Sequence, residues 1–288
     1  IFSQIIWYVF VNNRKFRESY CYFSDWILYY LWIDKSIYLD LHFDFLEVSM
    51  KILVANPNSS EIVTDVIMKS AARCKHVNTT LFSLTNPKGT KNIDCGFADY
   101  QSVWSFQRAI VEAVKAEPVD AVVLAGFGNV GVFALKELLD VPVVSISEAA
   151  QTVACMLGHK YSVLTMLRQF IPYQEDLVRL YRLEGKCASV RGINVNVENC
   201  VTDRDSTLAE LKEEILKIAE NDGAEVVVLG CAGLCGYDEE LSALTGLPVL
   251  DPVTVAVPVA EMLVSCGLTQ SKVRKFHAPP QPLSSYFE

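Results

Sequence analysis

The sequence contains no CxxC pair, no Walker-type glycine loop and no cluster of basic residues. It also has no uninterrupted apolar run approaching the ~20 residues that a membrane span requires. Each absence closes a class. Nine cysteines, an odd number without CxxC spacing in a chain of 288 residues, argue against both a disulfide framework and a zinc site. Reduced thiols in a cytoplasmic protein fit better, most of them as small core hydrophobes. A net charge of −9 without a basic patch makes nucleic acid an unexpected partner. The histidines (His42, His76, His159 and His277) show no metal-ligand spacing and no pairing with cysteine in sequence, so no metal is expected and they read as surface or turn residues. Gly126-x-Gly128 lacks a correctly spaced third glycine, which leaves no nucleotide signature. No membrane and no cofactor are expected, and a small-molecule substrate remains the natural partner.

Residues 1–49 lack Gly, Ala, Pro and Thr altogether, yet hold about half of the chain's aromatic residues, among them Trp7, Trp26 and Trp32. Charged residues such as Arg14, Arg17, Asp25 and Lys35 interrupt every apolar run, which excludes a span. A basic start and a small-residue cleavage site are both missing, which excludes a secretory signal. A folded extension without Gly or Pro turns would be unusual. This segment therefore reads as an atypical extension: non-coding sequence translated upstream of a start at Met50, or disordered chain.

From Met50 onward the composition turns to Val, Ala, Leu and Gly. Lys51-Ile52-Leu53-Val54-Ala55 is a short apolar run of strand type, and Asn56-Pro57-Asn58-Ser59-Ser60 is a turn able to cap a helix from about Glu61. Similar runs occupy residues 120–125, 141–146, 161–165, 225–229 and 247–250. Between them, residues 105–116, 148–157, 208–220 and 255–264 have helical character, with apolar residues at three- and four-residue spacing clearest in 105–116 and 208–220. Short, continuously apolar strands alternating with helices predict parallel sheets covered on both faces.

The pattern also repeats. Val122-Val123-Leu124-Ala125-Gly126-Phe127-Gly128 aligns with Val227-Val228-Leu229-Gly230-Cys231-Ala232-Gly233, and about nineteen residues later Val141-Pro142-Val143 matches Leu247-Pro248-Val249. The first run, ending at Asn56, echoes Tyr161-Ser162-Val163-Leu164-Thr165. An offset of about 105 to 110 residues predicts an α/β fold of two pseudo-symmetric lobes, each a parallel sheet flanked by helices. We expect lobe 1 over 50–157, lobe 2 over 158–250, and a C-terminal helix and tail over 251–288 packing back on lobe 1. Ligands in such sheets sit beyond the carboxyl ends of the strands, which here carry Asn56, Gly126, Thr165 and Cys231.

These motifs resemble the Asp/Glu/hydantoin racemase superfamily, and within it the hydantoin and allantoin racemases. The resemblance rests on Met50-Lys51-Ile52-Leu53-Val54-Ala55-Asn56-Pro57-Asn58-Ser59-Ser60, on Pro142-Val143-Val144-Ser145-Ile146-Ser147-Glu148-Ala149-Ala150, on Gly158 to Thr165, and on Gly230-Cys231-Ala232-Gly233. It runs from about Met50 to about Leu268. It implies a cofactor-independent enzyme, an oligomer by analogy, and two cysteines facing opposite sides of the substrate's asymmetric carbon, one removing and one returning the proton. Cys231 is then the catalytic residue. Asn56, Asn58, Ser59, Gly126, Phe127, Gly128, Glu148, Thr165, Ala232 and Gly233 are candidate substrate contacts, with backbone amides after Cys231 able to hold a carboxylate, an imide oxygen or an enolate. The purely structural alternatives are turn and cap duty for Asn56, Asn58 and Ser59, packing for Phe127, and a first-turn helix acid for Glu148.

One motif departs from the pattern. Where the family has Cys before Phe-Gly-Asp, this chain reads Ala125-Gly126-Phe127-Gly128-Asn129. One half of the acid/base pair is missing, which leaves three expectations. The first is racemisation of amino acids or of hydantoin- and allantoin-like derivatives, at reduced or altered efficiency. The second is single-thiol decarboxylation of a malonate-like acid, resembling arylmalonate decarboxylase, which has Gly at this position and one catalytic Cys. The third is a small-molecule binder without turnover.

Overall fold

The computed structural model describes residues 49–195, 200, 203–282 and 284–287. The readings of residues 1–48, including Cys21 and His42, lie outside them. The described chain opens with β1 (Met50–Asn56), α1 (Glu61–Cys74), β2 (Thr79–Thr85), α2 (Gly96–Ala116), β3 (Ala121–Leu124), α3 (Val132–Leu138) and β4 (Val143–Ser145). Helix α4 (Ile146–Leu157) leads into β5 (Tyr161–Thr165), α5 (Ile171–Leu180), β6 (Cys187–Gly192), α6 (Arg204–Lys217), β7 (Val226–Leu229), α7 (Asp238–Thr245), β8 (Val249–Leu250) and α8 (Pro252–Ser265).

The strands form two four-stranded sheets, ordered β2-β1-β3-β4 and β6-β5-β7-β8. Every pairing is parallel. The two orders are the same, so the halves are structural repeats, as the sequence echo predicts. Ala55 pairs with Leu124 in the first sheet and Leu164 with Leu229 in the second. Gly126 and Cys231 therefore stand at equivalent places, each two residues past the last residue of a central strand.

The apolar runs are continuous because both faces of each sheet are covered. Alternate residues of the central strands (Ile52, Val54, Val123, Val163, Val226 and Val228) enter one core shared by the two halves and filled by α1, α4 and α8. The opposite faces feed separate cores: Leu53, Val122 and Leu124 meet Phe106 and Ile110 of α2, whereas Leu164, Val227 and Leu229 meet Leu211 and Ile215 of α6. The chain beyond α8 lies along α3 and β4. Lys272 Nζ donates to the carbonyls of Lys136, Glu137 and Leu139, satisfying the otherwise open C-terminal end of α3.

Two strands escaped the sequence reading. β2 and β6 lie at sheet edges and are only partly buried, so Thr79-Thr80-Leu81-Phe82-Ser83-Leu84-Thr85 and Cys187-Ala188-Ser189-Val190-Arg191-Gly192 lack a continuous apolar run. Helix α2 begins nine residues before the expected 105, because its first turns expose Phe97 and Tyr100 and carry no clear apolar stripe. Helix α6 runs Arg204–Lys217 rather than 208–220, and continues as a π-turn over Ile218–Asp222. Helix α8 begins at Pro252 because Asp251 caps it, accepting from the amides of Val253 and Thr254.

Asp251 is fully buried. Besides capping α8 it accepts from Ser70 Oγ of α1 at 2.8 Å, from the Gly236 amide at 3.0 Å and from the Cys235 thiol at 3.3 Å. Arg73 of α1 stands 3.6 Å away. Replacing Asp251 by Ala would leave these buried donors unsatisfied and remove a cap, for an expected loss of about 3–5 kcal/mol. Urea denaturation of the variant against wild type measures it, and a loss below about 1 kcal/mol would contradict this role for the carboxylate.

Candidate active site

The carboxyl ends of β1, β3, β5 and β7 converge on one cavity of about 110 Å³. A single water needs only about 10–15 Å³ by this kind of measure, so the cavity has room for a small organic molecule. From the first half it is lined by Asn56, Pro57, Asn58, Gly126, Phe127 and Gly128, and from the second by Thr165, Gly230, Cys231, Ala232 and Gly233.

Cys231 is placed by backbone geometry. Gly230 donates its amide to Leu164 O at 2.8 Å, and a Cβ at position 230 would stand 2.8 Å from Val163 Cγ1. Only glycine lets the chain cross β5 so closely. The backbone then leaves the sheet in extended geometry at Cys231 and enters a short 3-10 turn over Ala232–Leu234. That turn directs the Gly233 amide onto Cys231 Sγ at 3.3 Å. Burial pushes the Cys231 thiol above its ordinary range, and the Gly233 N–H pulls weakly the other way. The thiol is thereby biased toward its protonated form, the form that can give a proton. Cys231 contributes the cavity's one thiol among the described residues. Cys155 sits on α4 and donates to Gln151 O, and Cys235 is buried against Asp251.

The opposite wall differs. Asn56 Nδ2 lies within hydrogen-bonding distance of Asn58 Oδ1, Ser60 O and Thr64 Oγ1, while Asn56 Oδ1 accepts from the Asn58 amide. Asn58 Oδ1 also accepts from the Ser60 amide. These side chains line the cavity, but most of their hydrogen-bonding capacity serves the turn. The ring of Pro57 lies across Gly126: a Cβ there would stand 2.7 Å from Pro57 Cγ and 3.3 Å from Val130 Cγ2. Position 126 thus carries no side chain and has little room for one. Phe127 is buried in the shared core, with part of its surface on the cavity.

Ser59 and Glu148 stand outside the cavity lining. Ser59 donates its amide to Thr90 O. Glu148, in the first turn of α4, pairs with Lys136 of α3. Conversely, Asn92, Asp94, Asp99, Phe170, Tyr173 and Gln174 do line the cavity and carry no strand-end signal in sequence. Tyr173 of α5 reaches from the second half to the first: its hydroxyl donates to Asp99 Oδ2 at 2.7 Å and lies 2.8 Å from Gly128 O. Tyr181 of the same half donates to Asn129 Oδ1 at 3.0 Å. Asn129 has a φ of 65° in the tight loop after Gly126, a left-handed conformation that asparagine tolerates better than most residues. No three His, Cys, Asp or Glu side chains among the described residues gather closely enough to ligate a metal ion. No helix among the described residues is long and apolar enough to cross a membrane.

Two like parallel sheets sharing a core, with a cavity at the ends of their central strands, define a two-lobed α/β protein with a cavity between its like halves. The chain belongs to the Asp/Glu/hydantoin racemase family, whose model matches residues 52–260. It is 37% identical to the hydantoin racemase of Rhizobium meliloti, over 80% of this chain and 95% of that one. It is 33% identical to the hydantoin racemase of Paenarthrobacter aurescens, over 81% of this chain and 98% of that one. The crystal structure of allantoin racemase from Pseudomonas fluorescens superposes with a TM-score of 0.76 at 38% identity, covering 81% of this chain and 98% of that chain. The protein is therefore an enzyme of an isomerase family.

The raised thiol gives a direct test. Alkylation of Cys231 by iodoacetamide, followed by peptide mass spectrometry across pH, is expected to show a midpoint above that of free cysteine. A midpoint below it would mean that the amides around Cys231 outweigh burial.

Proposed function

We propose that the protein is a cofactor-independent racemase of hydantoin- or allantoin-like amino-acid derivatives, in which Cys231 transfers the proton at the carbon next to a carbonyl. The observation that carries this reading is a thiol at the end of β7, lining a cavity sized for a small molecule, with a backbone N–H on its sulfur. Loss of the α-proton leaves a carbanion delocalised onto the neighbouring carbonyl. The thiol returns a proton to one face and becomes a thiolate, which can in turn take a proton from that face of the other enantiomer. On the Gly126 side no thiol is available, so water exchanges the proton there. This predicts turnover below that of a two-thiol site.

The charge of the lining supports a neutral substrate. It includes Asp94 and Asp99 and no Lys or Arg among the described residues. Placing a substrate carboxylate ~6 Å from either acid costs on the order of 3 kcal/mol at an effective dielectric of ~20. A cyclic ureide avoids that cost, and a malonate dianion meets it twice. The bare Gly126 position does favour a second reading, single-thiol decarboxylation, in which loss of carbon dioxide makes the carbanion and one thiol suffices.

Incubating 5-benzylhydantoin with the enzyme in D2O is expected to give deuterium at the α-carbon and loss of optical rotation. Cys231→Ala should slow both by about 10²–10⁴-fold. An undiminished rate in that variant would end the thiol mechanism, and carbon dioxide release from phenylmalonate without any exchange of hydantoins would favour the second reading. Gly126→Cys alone is expected to destabilise the fold, because its Cβ meets Pro57. The pair Pro57→Ala with Gly126→Cys makes room, and should raise racemisation relative to one-sided exchange. No gain in the double variant would show that position 126 is not the counterpart of Cys231 in action.

A further inference from the structure

Asp99, in the first turn of α2, is about nine-tenths buried, with a relative exposure of 7%. Its Oδ2 accepts from Tyr173, but Oδ1 is buried without a protein partner. Oδ1 lies 3.8 Å from where a Cβ at Gly128 would stand, on the cavity wall. Gln174, the residue after Tyr173, is 3% exposed, lines the same cavity, and has an Oε1 that is likewise buried and unpartnered. Buried polar atoms in folded proteins are almost always paired. Among the described residues three buried side-chain nitrogen or oxygen atoms have no partner, and these two belong to cavity residues.

Both atoms are acceptors, so both call for donors. A free carboxylate or a malonate brings more acceptors. A cyclic ureide brings two N–H groups, the donors that these two oxygens lack. We propose that Asp99 Oδ1, assisted by Gln174 Oε1, is the specificity-determining acceptor for substrate N–H groups, selecting ureide rings over carboxylic acids. This rests on the ureide reading of the site. Tyr173 positions the carboxylate: it holds Oδ2 against the loop at Gly128 and leaves Oδ1 without a partner beside the cavity wall. Desolvation raises the Asp99 carboxyl and the Tyr173 bond opposes that shift, as expected for an acid kept under-solvated until a donor arrives.

Binding can be separated from turnover with 5,5-dimethylhydantoin, which has no α-proton to lose. Its affinity for the full chain, and that of its N1-methyl and N3-methyl derivatives, can be measured by calorimetry for wild type, Asp99→Asn and Tyr173→Phe. Methylating the nitrogen that faces Asp99 should weaken wild-type binding tenfold to a hundredfold, the range for a hydrogen bond to a charged group. Asp99→Asn should lose a similar factor for the parent compound and become insensitive to that methylation. Tyr173→Phe should keep the discrimination between parent and methylated ligands. If Asp99→Asn keeps the wild-type sensitivity, the assignment fails while the ureide reading stands. If Asp99→Asn binds the parent normally but loses exchange of 5-benzylhydantoin, Asp99 acts in proton transfer and the assignment also fails. Should Asp99→Asn not fold, the wild-type series decides alone: indifference to methylation at either nitrogen overturns the proposal. A wild type that binds no hydantoin at all overturns it together with the ureide reading.

Discussion

The buried carboxylate of Asp251 sits where three separate stretches of chain meet, and the geometry of the cavity depends on it. One side of it caps α8, another holds Ser70 and approaches Arg73 of α1, and a third takes the Gly236 amide and the Cys235 thiol. Gly236 and Cys235 close the turn that Cys231 opens. Helix α1 starts at the Asn56–Ser60 turn on the opposite wall. One acid thus ties the thiol-bearing turn of the second lobe to the helix behind the first lobe's wall. Burying a charge is costly unless it is fully bonded, and here several converging donors meet that condition.

With the lobes held in this way, a shared core of branched aliphatic residues brings the ends of the central strands together. Glu261 of α8 strengthens the arrangement by accepting from Thr79 Oγ1 and the His76 amide at the start of β2. The result is a cavity with unlike walls. On one side a thiol is presented by a turn that requires Gly230. On the other, Gly126 lies beneath the ring of Pro57, and Asp99 of α2 and Gln174 of α5 supply polarity. The two halves repeat in the backbone and differ in the side chains at the strand ends, so a symmetric scaffold holds an asymmetric cavity.

Much of the scaffold could be read directly from the residues. Short apolar runs identified six of the eight strands, and their spacing identified the repeat, because a strand covered on both faces must be apolar at every position. The edge strands β2 and β6 were hidden for the same reason: half-exposed strands mix polar with apolar residues and resemble ordinary surface. At the site, the residues of the strand ends and their turns were legible, from Asn56 and Gly126 to Thr165 and Cys231, and all of them line the cavity. Ser59 and Glu148, named from their motifs, stand outside the cavity lining, Ser59 with its amide on Thr90 O and Glu148 paired with Lys136.

What the sequence determined by itself was the order of the buried strands and the longer helices, the duplication, and the pairing of Cys231 with a glycine at the equivalent position. Those features are encoded in local periodicity and in the spacing between repeats. What only the tertiary structure decided was the second wall. Asp99 and Tyr173 are 74 residues apart, and neither lies at a strand end. Pro57 reaches Gly126 only because β1 and β3 are neighbours in one sheet. Whether a polar side chain on a helix faces water or a cavity depends on which other helix packs beside it, and no local pattern records that.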